Sequence, residues 1–335
     1  MTVVMLILAA LSLSSHTFAA QATSTAPNEA PVSCNCVAFR LDDIQDYFLT
    51  KAQIAVITTF EQRNASLTVG IIGNHFGDDI VITGFLLDKL DADDDHNDDF
   101  SIEIANHGWN HEDFTLFTKE EQSALLQQTD AKIRDVLGLK PVVFIPPFNS
   151  VNDATTEALI ENDFHFMSAN TTNFPASFLQ ANQNKSKGIH DMTTTESTDT
   201  ILHFPSVANT GDLNADNTEW LGKSHEETFA AIIASMDELG YAVVTMHPME
   251  FASRTGTAYQ NEVDVTQIRE LELLMDDITD AGFEIVTVSQ INKGHVAIPE
   301  FSSYTIYLIL AISVTAVIWL SSKSNNYGLW RKEDT

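Results

Sequence analysis

Two short stretches carry the residue types and spacing for metal chemistry. One is Asn106-His107-Gly108-Trp109-Asn110-His111, and upstream of it stands Phe39-Arg40-Leu41-Asp42-Asp43. Histidines four apart fall on one side of a single helical turn, so both imidazoles can reach one ion. A carboxylate pair closing an apolar run can add a third ligand and leave a free base. Such a set suffices for a metal that activates water. Two further apolar runs end in polar or turn chemistry: Val243-Val244-Thr245-Met246 stops at His247, and Phe144-Ile145 runs into Pro146-Pro147-Phe148.

The elements that must position these groups alternate along the chain. Strand-like runs at 36–41, 66–72, 101–105, 141–145, 201–204, 241–246 and 284–288 are separated by helical periodicity over 51–63, 80–90, 118–137, 152–161, 226–239 and 265–281. The 118–137 segment opens on acidic residues and stops at Gly138. Residues 170–220 are rich in Thr, Asn and Asp and read as long loops around the 201–204 strand. Strand–helix alternation argues for a parallel sheet, open or closed into a barrel. Asp42 and Asp43, His107, Pro147 and His247 each follow an apolar run. In barrels of parallel strands, chemistry collects at the C-terminal strand ends.

The chain has 335 residues, 44% of them hydrophobic, enough for one large domain or two small ones and for a sizeable core. Its ends read differently. Residues 1–22 hold an apolar run and then small residues, the shape of a secretory signal, with an uncleaved anchor as the rival. Residues 23–35 read as a linker and 36–292 as the catalytic domain. Tyr304 to Leu320 is apolar and uncharged, at the short edge of the roughly 17–25 residues of a membrane helix. Lys323, Arg331 and Lys332 follow, so a single C-terminal span is expected to leave 321–335 as a cytoplasmic tail and the domain outside. That is a type I membrane protein of the cell surface. A lipid-anchor signal and a buried core helix are the alternatives.

Net charge is −30, from 47 acidic and 17 basic side chains, which makes nucleic acid and anionic lipid surfaces poor partners. The two cysteines, Cys34 and Cys36, can pair with each other, bond another chain or stay free. Asn64-Ala65-Ser66, Asn170-Thr171-Thr172 and Asn184-Lys185-Ser186 fit the N-glycosylation pattern of a glycoprotein. The run Asp91 to Asp99 resembles a calcium loop in its alternating acids. His96 and Ile102 stand where a glycine and a glutamate belong, so a solvated acidic loop is the simpler account. His75, His165, His190, His203, His225 and His295 show no partner spacing. No sequence signal sets an oligomeric state.

Taken together, the four motifs resemble the NodB-type polysaccharide deacetylases, carbohydrate esterase family 4, over roughly residues 36–290. The resemblance implies a distorted (β/α) barrel. It makes Asp42 the general base, Asp43, His107 and His111 the metal ligands, and His247 the general acid. It makes Phe144-Ile145-Pro146-Pro147-Phe148 a groove wall, with the Phe148 N–H helping to hold an oxyanion. Two departures stand out. Ile145 occupies the place of an arginine that orients the catalytic aspartate, and Arg40 is a candidate substitute. The Asp-Trp motif that orients the acid histidine is not evident between 164 and 220; Asp212 and Trp220 match it only loosely. Trp109 and Phe148 lie beside the expected site and could stack on sugar rings or pack in the core.

The chemistry follows from the residues. Asp43, His107 and His111 leave an open position on a bound ion, and water there can have its pKa lowered to about 7. Asp42 takes the proton, the metal and a backbone N–H hold the oxyanion, and His247 protonates the departing amine. Imidazole with one carboxylate suits Zn2+, and Co2+ or Ni2+ also fit. The expected activity is deacylation of an N-acetylated glycan or glycoconjugate. The rivals are a carbohydrate-binding barrel that keeps the metal without turnover, and an ester or peptide hydrolase on the same site.

Overall fold

The structure is a computed structural model that describes residues 34–93, 100–170, 190–193, 200–216 and 218–291. The signal segment, residues 23–33 of the linker, the 304–320 span and the tail all lie outside the described residues. So do the Asn184 sequon and residues 94–99 of the acidic run. No helix among the described residues is long and apolar enough to cross a membrane.

The alternation read from the sequence is present. β1 (Cys36–Ile44) leads through α1 (Thr50–Gln62) to β2 (Leu67–Ile71), then α2 (Ile80–Asp93), β3 (Ile102–Asn106) and α3 (Lys119–Leu137). β4 (Val143–Phe144), α4 (Asp153–Glu161) and β5 (Phe166–Met167) follow. The Thr-rich region is more structured than expected. It contains β6 (His190–Thr193), β7 (Thr200–His203), β8 (Ala208–Asn209) and a hairpin of β9 (Gly211–Leu213) and β10 (Trp220–Gly222). α5 (His225–Leu239), β11 (Tyr241–Met246), a second hairpin of β12 (Ala252–Thr255) and β13 (Ala258–Val263), α6 (Val265–Asp280) and β14 (Glu284–Val286) complete it. α2 runs on through Asp93, so the first residues of the acidic run are helical and not loop.

Local chemistry sets these boundaries. Thr118 caps α3 in a reciprocal box with Glu121, and Gly138 ends it in the left-handed conformation. Ser224 and Asp264 cap α5 and α6 with their side-chain oxygens.

The main sheet runs β6-β7-β5-β4-β3-β2-β1-β11-β8, with β14 also on β1. All of its pairings are parallel except β6 on β7. Its two ends meet on one stretch of chain. Phe204 and Ser206 donate backbone bonds to Met167, the last residue of β5, and to Ala169 just after it, while Val207 and Thr210 donate to Val243 and Thr245 of β11. The result is a curved, barrel-like parallel sheet clothed by helices.

Side-chain alternation along β1 divides the core in two. Val37, Phe39 and Leu41 pack with Val56, Ile57 and Phe60 of α1 and with Leu271 and Leu274 of α6. Cys36 and Ala38 face the other way, among Ala105, Val143, Ile145 and Val243. Arg40 and Asp42 share the inner face by the same period of two. Cys34 and Cys36 are joined in a disulfide at the start of β1, which resolves the three alternatives.

Candidate metal centre and active site

β1 carries both carboxylates. A regular strand would send Asp42 and Asp43 to opposite faces. Here the pairing with β2 slips between Leu41 and Ile44, and Asp43 takes a left-handed conformation, φ 62°, which aspartate tolerates better than most residues. Both side chains therefore reach the same mouth.

The histidine turn is a correction to the sequence reading. Residues 107–111 are not helical; they form an irregular loop after β3. Gly108 at φ 78° and His111 at φ 58° fold it back on itself. Gly108 is required twice over: its backbone is left-handed, and a Cβ there would lie 3.0 Å from Pro147 Cγ. Asn106 ties the loop down from below. Its Oδ1 accepts from the Gly108 N–H (2.9 Å) and its Nδ2 donates to Asp130 (2.8 Å).

Asp43 Oδ1 lies 3.2 Å from His107 Nε2 and 3.3 Å from His111 Nε2. Two ligands about 2.0–2.1 Å from a tetrahedral ion stand about 3.4 Å apart, so this spacing fits a zinc-type centre. His107 Nδ1–H donates to the Ile145 carbonyl (2.7 Å), which turns the lone pair of Nε2 toward Asp43. Burial, and then the proximity of His107, lower the His111 pKa to about 4, so its ring is neutral and free to ligate near neutral pH. Burial alone would raise Asp43. When the site holds no metal and the histidines are protonated, a hydrogen bond from His107 and the charges of His107, His247 and His111 hold it well below the usual carboxylate range.

Asp42 is 2% exposed. Its Oδ2 meets Arg40 Nη2 at 3.2 Å, and its Oδ1 has no hydrogen-bond partner among the described residues. An orphaned buried carboxylate oxygen beside three converging ligands is where a proton-accepting group belongs. Arg40 is itself buried and uses every nitrogen. Nε donates to Thr245 Oγ1 (2.9 Å), Nη1 to the Ser168 carbonyl, and Nη2 also to Asn149 Oδ1 (2.9 Å). Burial depresses the Arg40 pKa, while Asp42 and Asp43 oppose that shift. Arg40 thus supplies beside Asp42 the positive charge that Ile145, apolar and buried, cannot.

His247 ends β11. Its Nδ1–H donates to Glu250 Oε1 (3.0 Å), and the Trp220 ring lies over it with centroids 4.1 Å apart. Burial works against the charged imidazolium, but the hydrogen bond and charge of Glu250, then Asp42 and Asp43, hold its pKa above the ordinary value. Sequence reasoning missed Glu250. The available signal was a carboxylate three residues after His247 across a proline-led turn, Pro248–Phe251. Asp212, the other candidate, pairs with Lys223 at 2.6 Å.

Pro147 is buried against Gly108, and Phe148, at φ 56° and 58% exposed, sets its ring 4.5 Å from that of His111. Trp109 is half-buried and packs on Gly73 of the neighbouring loop. His225, which shows no partner spacing in the sequence, sits in a cluster with Glu226 and Glu270 (2.8 Å) that joins α5 to α6.

Residues 29–167 match the model of the polysaccharide deacetylase family, which bears out the resemblance drawn from the motifs. No curated protein matches the chain. Solved structures similar to it include the Xyl-CE4 domain of a multidomain xylanase from the hindgut metagenome of Trinervitermes trinervoides. It is 14% identical, with 79% of this chain and 91% of that one covered and a TM-score of 0.47. A family 4 acetyl xylan esterase from Clostridium thermocellum, in complex with a cobalt ion, is 14% identical, with 77% and 90% covered and a TM-score of 0.47. A CE4 family pseudoenzyme from Bacillus anthracis is 12% identical, with 78% and 66% covered and a TM-score of 0.47.

Proposed function

We propose that this chain is a metal-dependent hydrolase that removes N-acetyl, or related acyl, groups from amino sugars of a surface polysaccharide or glycoconjugate. One observation carries the reading. Asp43, His107 and His111 converge at ligand spacing beside a second, buried carboxylate whose Oδ1 is unpartnered among the described residues. Asp43, His107 and His111 would hold a divalent metal, zinc first by donor type, with cobalt or nickel also suited. Such a metal supplies Lewis acidity, acidifying a water and stabilising negative charge on a carbonyl oxygen.

The chain's own groups handle the protons. Asp42 Oδ1 accepts the proton of the attacking water, while Arg40 fixes Oδ2. The Pro147–Phe148 turn forms one wall of the groove, with the Phe148 N–H as the expected oxyanion donor. His247 gives a proton to the departing amine. Each proton-transfer group is worth about 10²–10⁴-fold. A domain tethered outward by the 304–320 segment would meet such polymers at the cell surface; this placement rests on the sequence.

The rival, a glycan-binding barrel without turnover, rests on the arginine missing at Ile145 and on the Asp-Trp motif that is not evident in the sequence. The Arg40–Asp42 contact supplies that charge from another strand and weakens the rival. The test is acetate release from a panel of N-acetylated oligosaccharides, acyl esters and peptides, with Asp42→Asn beside the wild type. Release from the amino sugars, abolished in Asp42→Asn, supports deacetylation. Glycan binding without any release favours the rival.

A further inference from the structure

Glu250 is more tightly built in than a helix-start carboxylate needs to be. Its side chain is fully buried. Oε1 accepts both the His247 backbone N–H (3.2 Å) and the ring Nδ1–H (3.0 Å). Oε2 accepts the Thr210 hydroxyl. Behind it, Gly211 leaves the space the carboxylate occupies: a Cβ there would lie 2.7 Å from Glu250 Cγ and Cδ. Pro248 starts the turn that swings Glu250 back under His247.

We infer that Glu250 is the positioning residue that holds His247 as a proton donor, an assignment that rests on the deacetylase reading above. With Nδ1–H committed to Glu250, Nε2 is the ring atom left to face the cleft. That cleft has a volume of about 380 Å3 and is lined by His247, Asn149, Asn170, Ser206, Trp220 and Thr245. As the C–N bond breaks, its electron pair stays on nitrogen and takes the Nε2 proton. His247 becomes neutral and keeps Nδ1–H on Glu250. The carboxylate offsets the charge of the imidazolium before transfer and disfavours the neutral tautomer that would turn a bare Nδ1 toward Glu250, so Nε2 is the ring atom that gains and gives the proton. Trp220 closes one face of the ring, so two supports come from opposite sides in sequence: the indole from β10 and the carboxylate from the turn after β11.

The role predicts a dependence on the leaving group. An amine must be protonated to depart; 4-nitrophenolate need not be. Full-length wild type, Glu250→Gln and Gly211→Ala, whose added methyl displaces Glu250, are loaded with zinc and assayed on an N-acetylglucosamine oligomer and on 4-nitrophenyl acetate. The expected result is a fall of about 10²-fold in the ratio of amide to ester turnover in both variants, carried by kcat with little change in KM. Equal losses on the two substrates overturn the assignment, as does an amide-to-ester ratio equal to that of the wild type. Ring nitrogen NMR of His247 reads the tautomer independently of activity. A proton on Nδ1 in the wild type that redistributes in Glu250→Gln supports the role, and a proton on Nε2 alone in the neutral wild-type ring overturns it. A wild type inactive on both substrates sinks the deacetylase reading instead, and the NMR result then decides the Glu250–His247 pair by itself.

Discussion

The Arg40–Asp42 pair gives the sharpest quantitative expectation. The two charges are 3.2 Å apart with side chains 1% and 3% exposed. At an effective dielectric of 20, that separation corresponds to an attraction of about 5 kcal/mol. Taking both groups out of water offsets part of it. Removing one partner leaves the other buried and uncompensated, at a cost of about 3–5 kcal/mol. Arg40→Met also strips the donors from Ser168 and Asn149. A double-mutant cycle separates these effects. Arg40→Met alone is expected to lose about 3–5 kcal/mol, and adding Asp42→Asn to that background should recover part of the loss, because the stranded charge is gone. The coupling should be about 2–3 kcal/mol. The assay is urea unfolding of the four proteins at pH 7 with zinc held at one concentration, since bound metal shifts apparent stability. Additivity within about 0.5 kcal/mol would refute the claim that Arg40 is the counter-charge of Asp42. Arg40→Lys keeps the charge without the fork, and its deacetylation rate should fall between those of the wild type and Arg40→Met.

Two further outcomes follow from the support beneath the histidine turn. Burial pushes Asp130 up to about 6, against the Asn106 hydrogen bond and the charges of Lys140 and Arg134. The folded chain therefore holds this proton more tightly than the unfolded chain does, so the stabilisation is fully present below about pH 4 and lost as pH rises through about 6. Asp130→Asn should be more stable than the wild type at pH 7 by about 2–3 kcal/mol, with the gap closing by pH 4. A gap independent of pH in denaturant melts would contradict this. Gly108→Ala forces a methyl into a left-handed position against Pro147. It should cost about 1–3 kcal/mol and weaken zinc binding, because His107 and His111 flank the turn. Unchanged melting and unchanged zinc titration would count against the turn's role.

The positions of the ligands were legible in the sequence, because apolar runs ending in polar residues mark strand ends whatever the details of packing. The shape of the histidine turn was not. Spacing of four suggests a helix, and only the left-handed backbones of Gly108 and His111 bring the rings together without one. The Arg40 substitution was readable as alternation along β1, since residues 36, 38, 40 and 42 must share a face. Glu250 was hidden because its partner is the residue that begins its own turn, a relation that looks like ordinary capping. The 200–210 stretch, which serves both ends of the sheet, was masked by its Thr- and Asn-rich surroundings. Hydrophobic periodicity carries little signal over strands of two to four residues.

The metal centre itself is the claim on which the rest stands. Bound transition metal should be counted by elemental analysis after dialysis against zinc, in the wild type and in a His107→Ala/His111→Ala double variant that remains folded. The account predicts about one metal per chain in the wild type and none above background in the variant. A folded wild type that retains no metal would contradict the account and leave a barrel without the means to activate water.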